Sequence, residues 1–221
     1  MLFPEKIVSI NQNDKVLEVG PGGTPHPRSD VLLEKVFLEQ EAKEQRGHTD
    51  KLQTDKELVF YEGDRFPFGD NEFDYVICSH VLEHVPADEI MLFISELQRV
   101  APKGYIEYPT IYYEYLYNFK VHVTLLHFQN GRVYYMDKAQ SQLNSFYTVQ
   151  TFFYKTLESG YDELVRENKK YFFQGFEWDG KLIFEKTDDI RQLTSPKVII
   201  NKKGNQGGIF PLISYIRKFF R

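Results

Sequence analysis

Short apolar runs alternate with polar stretches through the first half of the chain. Five of these runs predict β-strands because they are rich in β-branched and aromatic residues, and they comprise residues 16–19, 31–33, 58–61, 73–79 and 105–108. The run at 73–79 is apolar on both faces at its centre, as expected of a central parallel strand that is covered on both sides. Between residues 87 and 100 the apolar positions recur at helical spacing, which predicts a crossover helix that Lys103-Gly104 ends.

Strands that alternate with helices or loops predict an α/β fold with a doubly wound, mostly parallel sheet. Ligands bind to such sheets beyond the carboxyl ends of the strands. Pro25 and Pro27 fall where a long first helix would start, so the first crossover is expected to be short. We expect residues 1–14 to form an entry helix or loop, and the polar stretch 39–55 to form a solvated loop or loose helix.

Two turn signals shape the second half of the chain. Asn130-Gly131 predicts an appended β-hairpin over the site, and Asp179-Gly180 predicts a second hairpin that adds antiparallel strands at the sheet edge. A helix over 146–159 would link the two. The tyrosine-rich segment 111–118 is placed either to roof the pocket or to pack in the core.

The tail begins with a glycine-rich break at 204–208. Residues 211–221 combine apolar and basic side chains, which predicts a short amphipathic helix. Such a helix either docks on the protein's own core or contacts an anionic membrane or a partner.

Composition narrows the functional classes. The 221 residues are 42% hydrophobic, which predicts a single domain over 1–221: a cofactor-binding half at 15–110, acceptor-side elements at 111–200 and a tail at 201–221. The net charge of −5 gives no electrostatic case for nucleic acid. The single cysteine, Cys78, lies in an apolar run, so it is expected to be buried, and no disulfide forms within the chain. The sequence shows no leader or membrane-spanning pattern, which predicts a cytoplasmic protein.

The first predicted strand runs into a glycine-rich loop. Gly20, Gly22 and Gly23 lie within four positions, where bare backbone can turn tightly and approach a ligand closely. Glu18 lies inside the strand, and its burial requires a hydrogen-bond donor or a cation. An acid beside a glycine loop at a strand's carboxyl end indicates a cofactor site.

Three motifs then occur in order. They are Val-Leu-Glu-Val-Gly-Pro-Gly at 16–22, Glu-Gly-Asp-Arg-Phe-Pro-Phe at 62–68, and Phe-Asp-Tyr-Val-Ile-Cys-Ser-His-Val-Leu-Glu-His at 73–84. Together they resemble the class I S-adenosylmethionine-dependent methyltransferases of the methyltransferase type 11 group. The resemblance covers residues 15–110 and implies a Rossmann-like fold, methyl transfer as the activity and S-adenosylmethionine as the cofactor.

The resemblance also implies roles for individual residues. Glu34 would bind the ribose hydroxyls, Asp64 the adenine amino group, and the backbone of Ser79 and His80 would close the methionine end. These roles suit the chemistry, because carboxylates accept hydrogen bonds from hydroxyls and amines. The full set of expected cofactor-binding residues is Glu18, Gly20, Pro21, Gly22, Glu34, Asp64, Arg65, Ser79 and His80.

Two features depart from the family pattern. The usual third glycine of the loop is displaced to Gly23 and is followed by Thr-Pro-His-Pro, which affects the geometry of the loop and the first helix. The second departure is that residues 111–221 match no motif, so the resemblance does not identify the acceptor. Apart from these departures, Glu39 and Glu41 compete with Glu34 for the ribose role.

Competing motifs give other functions less support. Pro25 occupies the third glycine position of a dinucleotide fingerprint, which disfavours an NAD-dependent oxidoreductase, and no nucleoside-triphosphate loop occurs. His80-Val-Leu-Glu83-His84 formally satisfies a zinc-peptidase pattern, in which the two histidines share a helix face. Because the segment follows a buried strand within the methyltransferase motif, we expect no metal there and read His84 and Glu83 as surface or packing residues.

The sequence therefore predicts methyl transfer to a small-molecule or glycan-type acceptor, with oxygen as the hypothetical acceptor atom. His80 is the one catalytic candidate, as a base or as a group that orients the acceptor, and a role in capping the strand end is the alternative. A non-catalytic cofactor- or ligand-binding protein with the same fold is the rival hypothesis.

Overall fold

The computed structural model of the protein describes residues 1–36, 54–63, 65–157 and 165–194. The predicted stretches 39–55, for the most part, and 201–221 lie outside these residues, as does Asp64. The strands are β1 Val16–Val19, β2 Val31–Lys35, β3 Glu57–Tyr61, β4 Tyr75–Ser79, β5 Lys103–Pro109, β6 Thr124–Gln129, β7 Arg132–Asp137, β8 Phe173–Asp179 and β9 Phe184–Lys186. The α-helices are α1 Ile90–Val100, α2 Ile111–Tyr117, α3 Tyr147–Leu157 and α4 Lys169–Phe172. Short 3₁₀ turns cover Pro4–Lys6, Leu82–His84, Lys138–Ser141, Leu143–Phe146 and Ile190–Leu193.

Six strands form the central sheet in the order β3-β2-β1-β4-β5-β8. The first five pair in parallel, and β8 pairs antiparallel with β5. The α/β fold with a mostly parallel sheet is therefore confirmed. The chain connects β1 to β2 on one side and returns to β4 on the other, so the sheet has a switch point beside β1 where a ligand crevice is expected.

The two faces of the sheet are covered differently. One face carries the main core, in which residues of β1, β4 and β5 pack against α1 and the second sheet, β6-β7-β9. The opposite face is covered near its centre by residues 1–14, where Ile7 and Ile10 pack against Tyr75 and Tyr105. The first crossover contains no helix between Val19 and Val31, as the prolines predicted.

A buried carboxylate fastens the entry segment to the sheet. Glu107 of β5 is fully buried and accepts hydrogen bonds from the backbone N–H groups of Leu2 and Phe3 at 2.6 and 2.9 Å. The Tyr105 hydroxyl donates to the same carboxylate at 2.6 Å. The entry segment is thus held by a polar contact within an otherwise apolar region.

The two turn signals have different outcomes. Asn130-Gly131 joins β6 and β7 in an antiparallel hairpin, as predicted. Asp179-Gly180 does end an antiparallel edge strand, β8, but the prediction of a hairpin there is wrong. The chain crosses to the second sheet, and β9 pairs in parallel with β7. Because Leu182 is buried in the main core, the returning chain is drawn away from β8.

Helical predictions hold with adjusted ends. α1 ends at Val100, and Lys103 and Gly104 begin β5 instead of ending the helix. α3 confirms the linking helix within the described residues. In the tyrosine-rich segment, Tyr113 and Tyr117 of α2 pack with Phe3, Val165 and Phe173, which favours the core alternative. Cys78 is buried, as expected. Among the described residues no helix combines the length and apolar character needed to cross a bilayer.

Gly104 lies at a position in β5 where any side chain is expected to destabilise the fold. A Cβ atom there would lie 2.2 Å from the backbone oxygen of Val76 and 3.1 Å from the Trp178 ring, so one strand would have to shift. Gly104→Ala should lower the free energy of unfolding by about 1–3 kcal/mol, as overpacking usually does. Gly69→Ala is the matched control, because its nearest neighbour would lie at 3.7 Å, and it should change stability by less than about 0.5 kcal/mol. Denaturant unfolding measures both, and equal effects would contradict this account of the strand.

Candidate functional site

A cavity of about 400 Å³ opens at the carboxyl ends of β1, β2, β3 and β4. This is the switch point of the sheet, and the volume lies in the range of small-molecule sites. One wall consists of strand ends and the glycine loop, and the other consists of the turn after β4 together with the start of α1. The lining residues are Val19, Gly20, Gly22, Gly23, Glu34, Lys35, Tyr61, Gly63, His80, Val81, His84, Val85, Pro86, Glu89, Leu92 and Phe93.

The glycine loop has the conformation that its sequence predicted. Gly20 and Gly22 have φ of +64° and +60°, a region that side chains disfavour. A Cβ atom on Gly20 would lie 2.5 Å from Cγ2 of Val81, so glycine permits the close approach of the two walls. Apart from their chain neighbours, no heavy atom of the described residues lies within 4 Å of the Cβ positions of Gly22 and Gly23. Bare backbone therefore faces open space in the cavity, which is the cradle that a nucleoside cofactor needs.

Glu18 supports the loop from behind. Its carboxylate accepts hydrogen bonds from the His26 N–H at 2.7 Å and from the Ser29 hydroxyl at 2.6 Å. Burial raises the pKa of Glu18, and these two hydrogen bonds oppose that rise. The donors that its burial required are thus within the protein. Glu18 does not line the cavity, so in this structure it shapes the loop that does.

Glu34 lines the cavity at the end of β2. It is 9% exposed and lies beside Lys35. The parallel register pairs Lys35 with Tyr61 of β3, so the ends of both strands meet at the same wall. A carboxylate at this position can accept both hydroxyls of a ribose. The predicted position of Glu34 at the crevice is therefore consistent with the geometry.

The remaining predicted residues surround the cavity less directly. Pro21 is buried within the loop, Arg65 is exposed, and the Ser79 hydroxyl donates to Glu107 at 3.2 Å; none of the three lines the cavity. Asp64 falls outside the described residues, but the chain after it is firmly held. Arg99 of α1 donates to the backbone oxygens of Phe66 and Phe68 at 3.1 and 2.7 Å.

His80 lines the cavity in an unusual setting. Its φ is +58°, and its two ring nitrogens lie 3.2 Å from Oε1 of Glu83 and 2.9 Å from Oε1 of Glu107. Burial alone would lower the pKa of His80, but the two carboxylates outweigh it and raise the pKa to about 9. At neutral pH the ring is therefore an imidazolium that donates to both acids. Neither nitrogen keeps a lone pair, which argues against His80 as a general base.

The zinc-peptidase pattern does not form in the way that its spacing suggests. Leu82–His84 is a 3₁₀ turn instead of an α-helix, and His80 precedes it in a left-handed conformation. His80 and His84 consequently do not share a helix face. His84 instead lies beside His122, with ring centroids 4.8 Å apart.

Four of the sixteen lining residues, Gly20, Gly22, Glu34 and His80, belong to the expected cofactor-binding set. Lys35, Tyr61, Gly63 and Val81 adjoin predicted strand ends, so the strand-end argument itself, extended by one or two residues, would have found them. Leu92 and Phe93 come from α1 and Glu89 is the residue that caps its N-terminus, so their placement depends on how that helix packs. No local signal identified them.

The family comparison addresses this part of the chain. Residues 32–106 match the model of a methyltransferase domain family. The match covers about a third of the chain, and this part is similar to a methyltransferase domain. The glycine cradle and Glu34 at the switch point fit S-adenosylmethionine as the cofactor of this domain.

Solved structures are similar over part of the chain. A Pyrococcus horikoshii protein is 17% identical over 57% of this chain and 66% of its own, with a TM-score of 0.40. A putative methyltransferase of Bacillus halodurans is 22% identical over 51% of this chain and 55% of its own, with a TM-score of 0.35. A Methanosarcina mazei S-adenosylmethionine-dependent methyltransferase is 16% identical over 54% of this chain and 68% of its own, with a TM-score of 0.33. The first two are thus matched over less than two thirds of their lengths. Curated protein sequences give no significant match.

The His80 network predicts a distinctive pH dependence of stability. Hydrogen bonds from His80 and Tyr105 outweigh burial and hold the pKa of Glu107 at about 2, below its ordinary 4.5, so its contribution is complete above pH 4.5 and is lost as the pH falls toward 2. His80 has its pKa raised from 6.5 to about 9, so its contribution is complete below pH 6.5 and is lost as the pH rises through 9. The contribution of the network should therefore be greatest between about pH 4.5 and 6.5.

Unfolding free energies across pH test this expectation. His80→Gln should abolish most of the decline between pH 6.5 and 9, and Glu107→Gln should weaken the acid decline. His26→Asn is the control, because burial lowers the pKa of His26 and that effect acts on the acid side. An alkaline decline that persists unchanged in His80→Gln would contradict the assignment.

Proposed function

We propose that this protein transfers a methyl group from S-adenosylmethionine to a small-molecule or glycan-type acceptor, at oxygen. The observation that carries the proposal is the convergence of the bare glycine loop and Glu34 on one cavity at the switch point. The cofactor supplies a methyl group on a positively charged sulfur, which passes to a nucleophilic atom of the acceptor as the carbon–sulfur bond breaks. The activity thus requires a cofactor pocket next to space for a second molecule.

The proposed cofactor contacts follow the strand order. The loop of Gly20 and Gly22 would hold the methionine and ribose side, while Glu34 would accept the ribose hydroxyls. Asp64 remains proposed for the adenine amino group, and the backbone of Ser79 and His80 for the methionine end. Acids around the site also suit a cationic ligand. Glu34 and Glu89 supply two carboxylates to the lining.

His80 is proposed as a positioning residue. Its ring is committed to Glu83 and Glu107, so it fixes these two carboxylates beside the cavity. Methyl transfer from a sulfonium depends mainly on alignment of the reacting atoms, and rigid walls provide that alignment. The acceptor would enter along the second wall, where Val85, Pro86 and Leu92 give an apolar surface next to His84.

A non-catalytic binding protein is the second candidate. The occupied nitrogens of His80 favour it, because they remove the one base that the sequence suggested. A screen of small-molecule and glycan acceptors with cofactor labelled on the methyl group separates the two candidates. Transfer of label to an acceptor supports the enzyme, and cofactor binding without any transfer supports the binding protein.

Substitutions of residues that line the cavity test cofactor binding directly. Gly23→Val places a side chain in open space on the cavity side, and Glu34→Gln removes the charge that would face the ribose. Each should weaken binding of S-adenosylhomocysteine by roughly 10- to 100-fold. For Glu34→Gln the reason is that hydrogen bonds to charged groups contribute about 1.5–3 kcal/mol. For Gly23→Val the reason is that the new side chain occupies space in the cavity. Isothermal titration calorimetry measures the change.

Glu57→Gln provides the matched control. Glu57 is exposed at the opposite end of β3, so its variant should bind like the original chain. If the original chain binds neither S-adenosylmethionine nor its demethylated product, the proposed function fails. If it binds and both lining variants keep full affinity, the cofactor lies elsewhere.

A further inference from the structure

Three metal-ligating side chains meet beside the cavity, and the methyltransferase assignment gives them no role. They are Glu83, His84 and His122, each of which offers one ligand atom within 4.8 Å of the other two. His84 lines the cavity directly. Glu83 and His84 belong to the turn after β4, whereas His122 precedes β6, so folding brings the group together from distant parts of the chain.

The two histidines are oriented as metal ligands usually are. Nδ1 of His84 lies 3.0 Å from the backbone oxygen of Val121, and Nδ1 of His122 pairs with a carboxylate oxygen of Glu114. Metal-bound histidines commonly donate one ring N–H to a carbonyl or carboxylate, which leaves the other nitrogen for the metal. Here that other atom is Nε2 in both rings. Lys138 holds Glu114 in place through a contact of 2.9 Å.

Glu83 supplies an independent sign of a missing ligand. The residue is 1% exposed, and its Oε1 atom takes the hydrogen bond of His80. Its Oε2 atom is buried and has no hydrogen-bond partner among the described residues. An unpartnered buried carboxylate oxygen is costly, and a cation is the partner that would satisfy it.

The segments that carry these side chains are fixed to each other. The Val123 N–H donates to the backbone oxygen of Glu83 at 2.7 Å, and the Thr124 hydroxyl donates to that of Val85 at 2.6 Å. The ligand group therefore belongs to a rigid junction between the turn and β6. Preorganisation of this kind is what a stable metal site requires.

Charge favours a cation at the same place. The cluster and its immediate partners include three buried carboxylates, from Glu83, Glu107 and Glu114, and the ammonium group of Lys138. The pairing of His122 with Glu114 alone leaves Oε2 of Glu83 without a hydrogen-bond partner among the described residues.

We propose that Glu83, His84 and His122 bind one divalent transition-metal ion of the Zn²⁺ type. Two imidazoles and one carboxylate form a recognised donor set for zinc and related metals, and three protein ligands leave a coordination position open. This proposal differs from the sequence expectation that no metal binds here. The sequence pattern paired His84 with His80, whereas the structure pairs it with His122.

The site has a consequence for the acceptor, which rests on the proposed function. Because His84 lines the cavity, we infer that an acceptor hydroxyl in the cavity would occupy the open coordination position. A metal lowers the pKa of a bound hydroxyl, so the proton leaves to solvent and the oxygen becomes nucleophilic without a protein base. With a metal in this role, His80 need not act as the base.

Metal content of the full untagged chain tests the proposal. After removal of metals with a chelator, the chain should bind one equivalent of Zn²⁺ by mass spectrometry of the metal, and Co²⁺ should give visible absorption bands of a low-coordinate site. Glu83→Gln keeps an acceptor for His80 and removes the free anionic oxygen. His84→Asn and His122→Asn keep a donor at the Nδ1 position and remove Nε2.

Each of these three variants should lose more than the roughly 10- to 100-fold in affinity that loss of an outer-sphere partner costs. His26→Asn is the matched control and should retain one equivalent. The proposal is overturned if the original chain binds none of Zn²⁺, Co²⁺ or Mn²⁺, or if folded variants bind as tightly as the original. Circular dichroism shows which variants are folded, and any one folded variant decides the question.

Calorimetry with S-adenosylhomocysteine on the metal-free chain separates this proposal from the function. Cofactor binding without metal binding would refute the metal site alone. Metal binding without cofactor binding would refute the proposed function and leave the metal site standing. Retained methyl transfer by a folded, metal-free chain would refute the link between the metal and the acceptor.

Discussion

The buried carboxylate of Glu107 organises both the fold and the candidate site. It accepts hydrogen bonds from the N-terminal backbone, from Tyr105 in its own strand, and from Ser79 and His80 at the end of β4. A carboxylate without these donors would be strongly destabilised by burial. With them, it fastens the entry segment to one face of the sheet and holds the first residue after β4. Because His80 in turn binds Glu83, the constraint reaches from the sheet to the wall of the cavity.

The sequence predicted the parts of this arrangement that depend on local chemistry. Strand periodicity located the parallel sheet, and the glycines of the loop indicated where backbone meets ligand. Glu34 was recognisable because strand ends converge in such sheets. The role of Glu107 was not, since two of its donors, Leu2 and Phe3, lie about one hundred positions away and two others, Ser79 and His80, follow from the pairing of β4 with β5. The same holds for His122, whose meaning appears only when β6 packs beside the turn after β4, and for Gly104, whose neighbour is another strand.

His80 illustrates how a motif can mislead without local geometry. The spacing of His80 and His84 places them on one face only if the segment is an α-helix. The two rings face different directions, because His80 has a left-handed conformation and a short 3₁₀ turn follows it. Both rings line the cavity, but His80 binds Glu83 and Glu107 whereas His84 packs beside His122. A pattern of residue types thus pointed to the right region, and the backbone conformation decided which residues act together.

Two groups of chain segments lie around the cavity, and they differ in chemistry. The strands supply bare peptide groups and Glu34, which suit a nucleoside, whereas the turn after β4 and the segment before β6 supply imidazoles and the buried Glu83. Since the proposed methyl transfer requires alignment more than proton chemistry, the strand ends and glycine loop would be enough to hold the methyl donor. The acceptor still needs a means to become nucleophilic, and in the described residues His80 cannot provide it while both its nitrogens donate. A cation bound by Glu83, His84 and His122 would act at the acceptor oxygen, apart from the positively charged sulfur. The two positive centres would share the acids that surround the cavity.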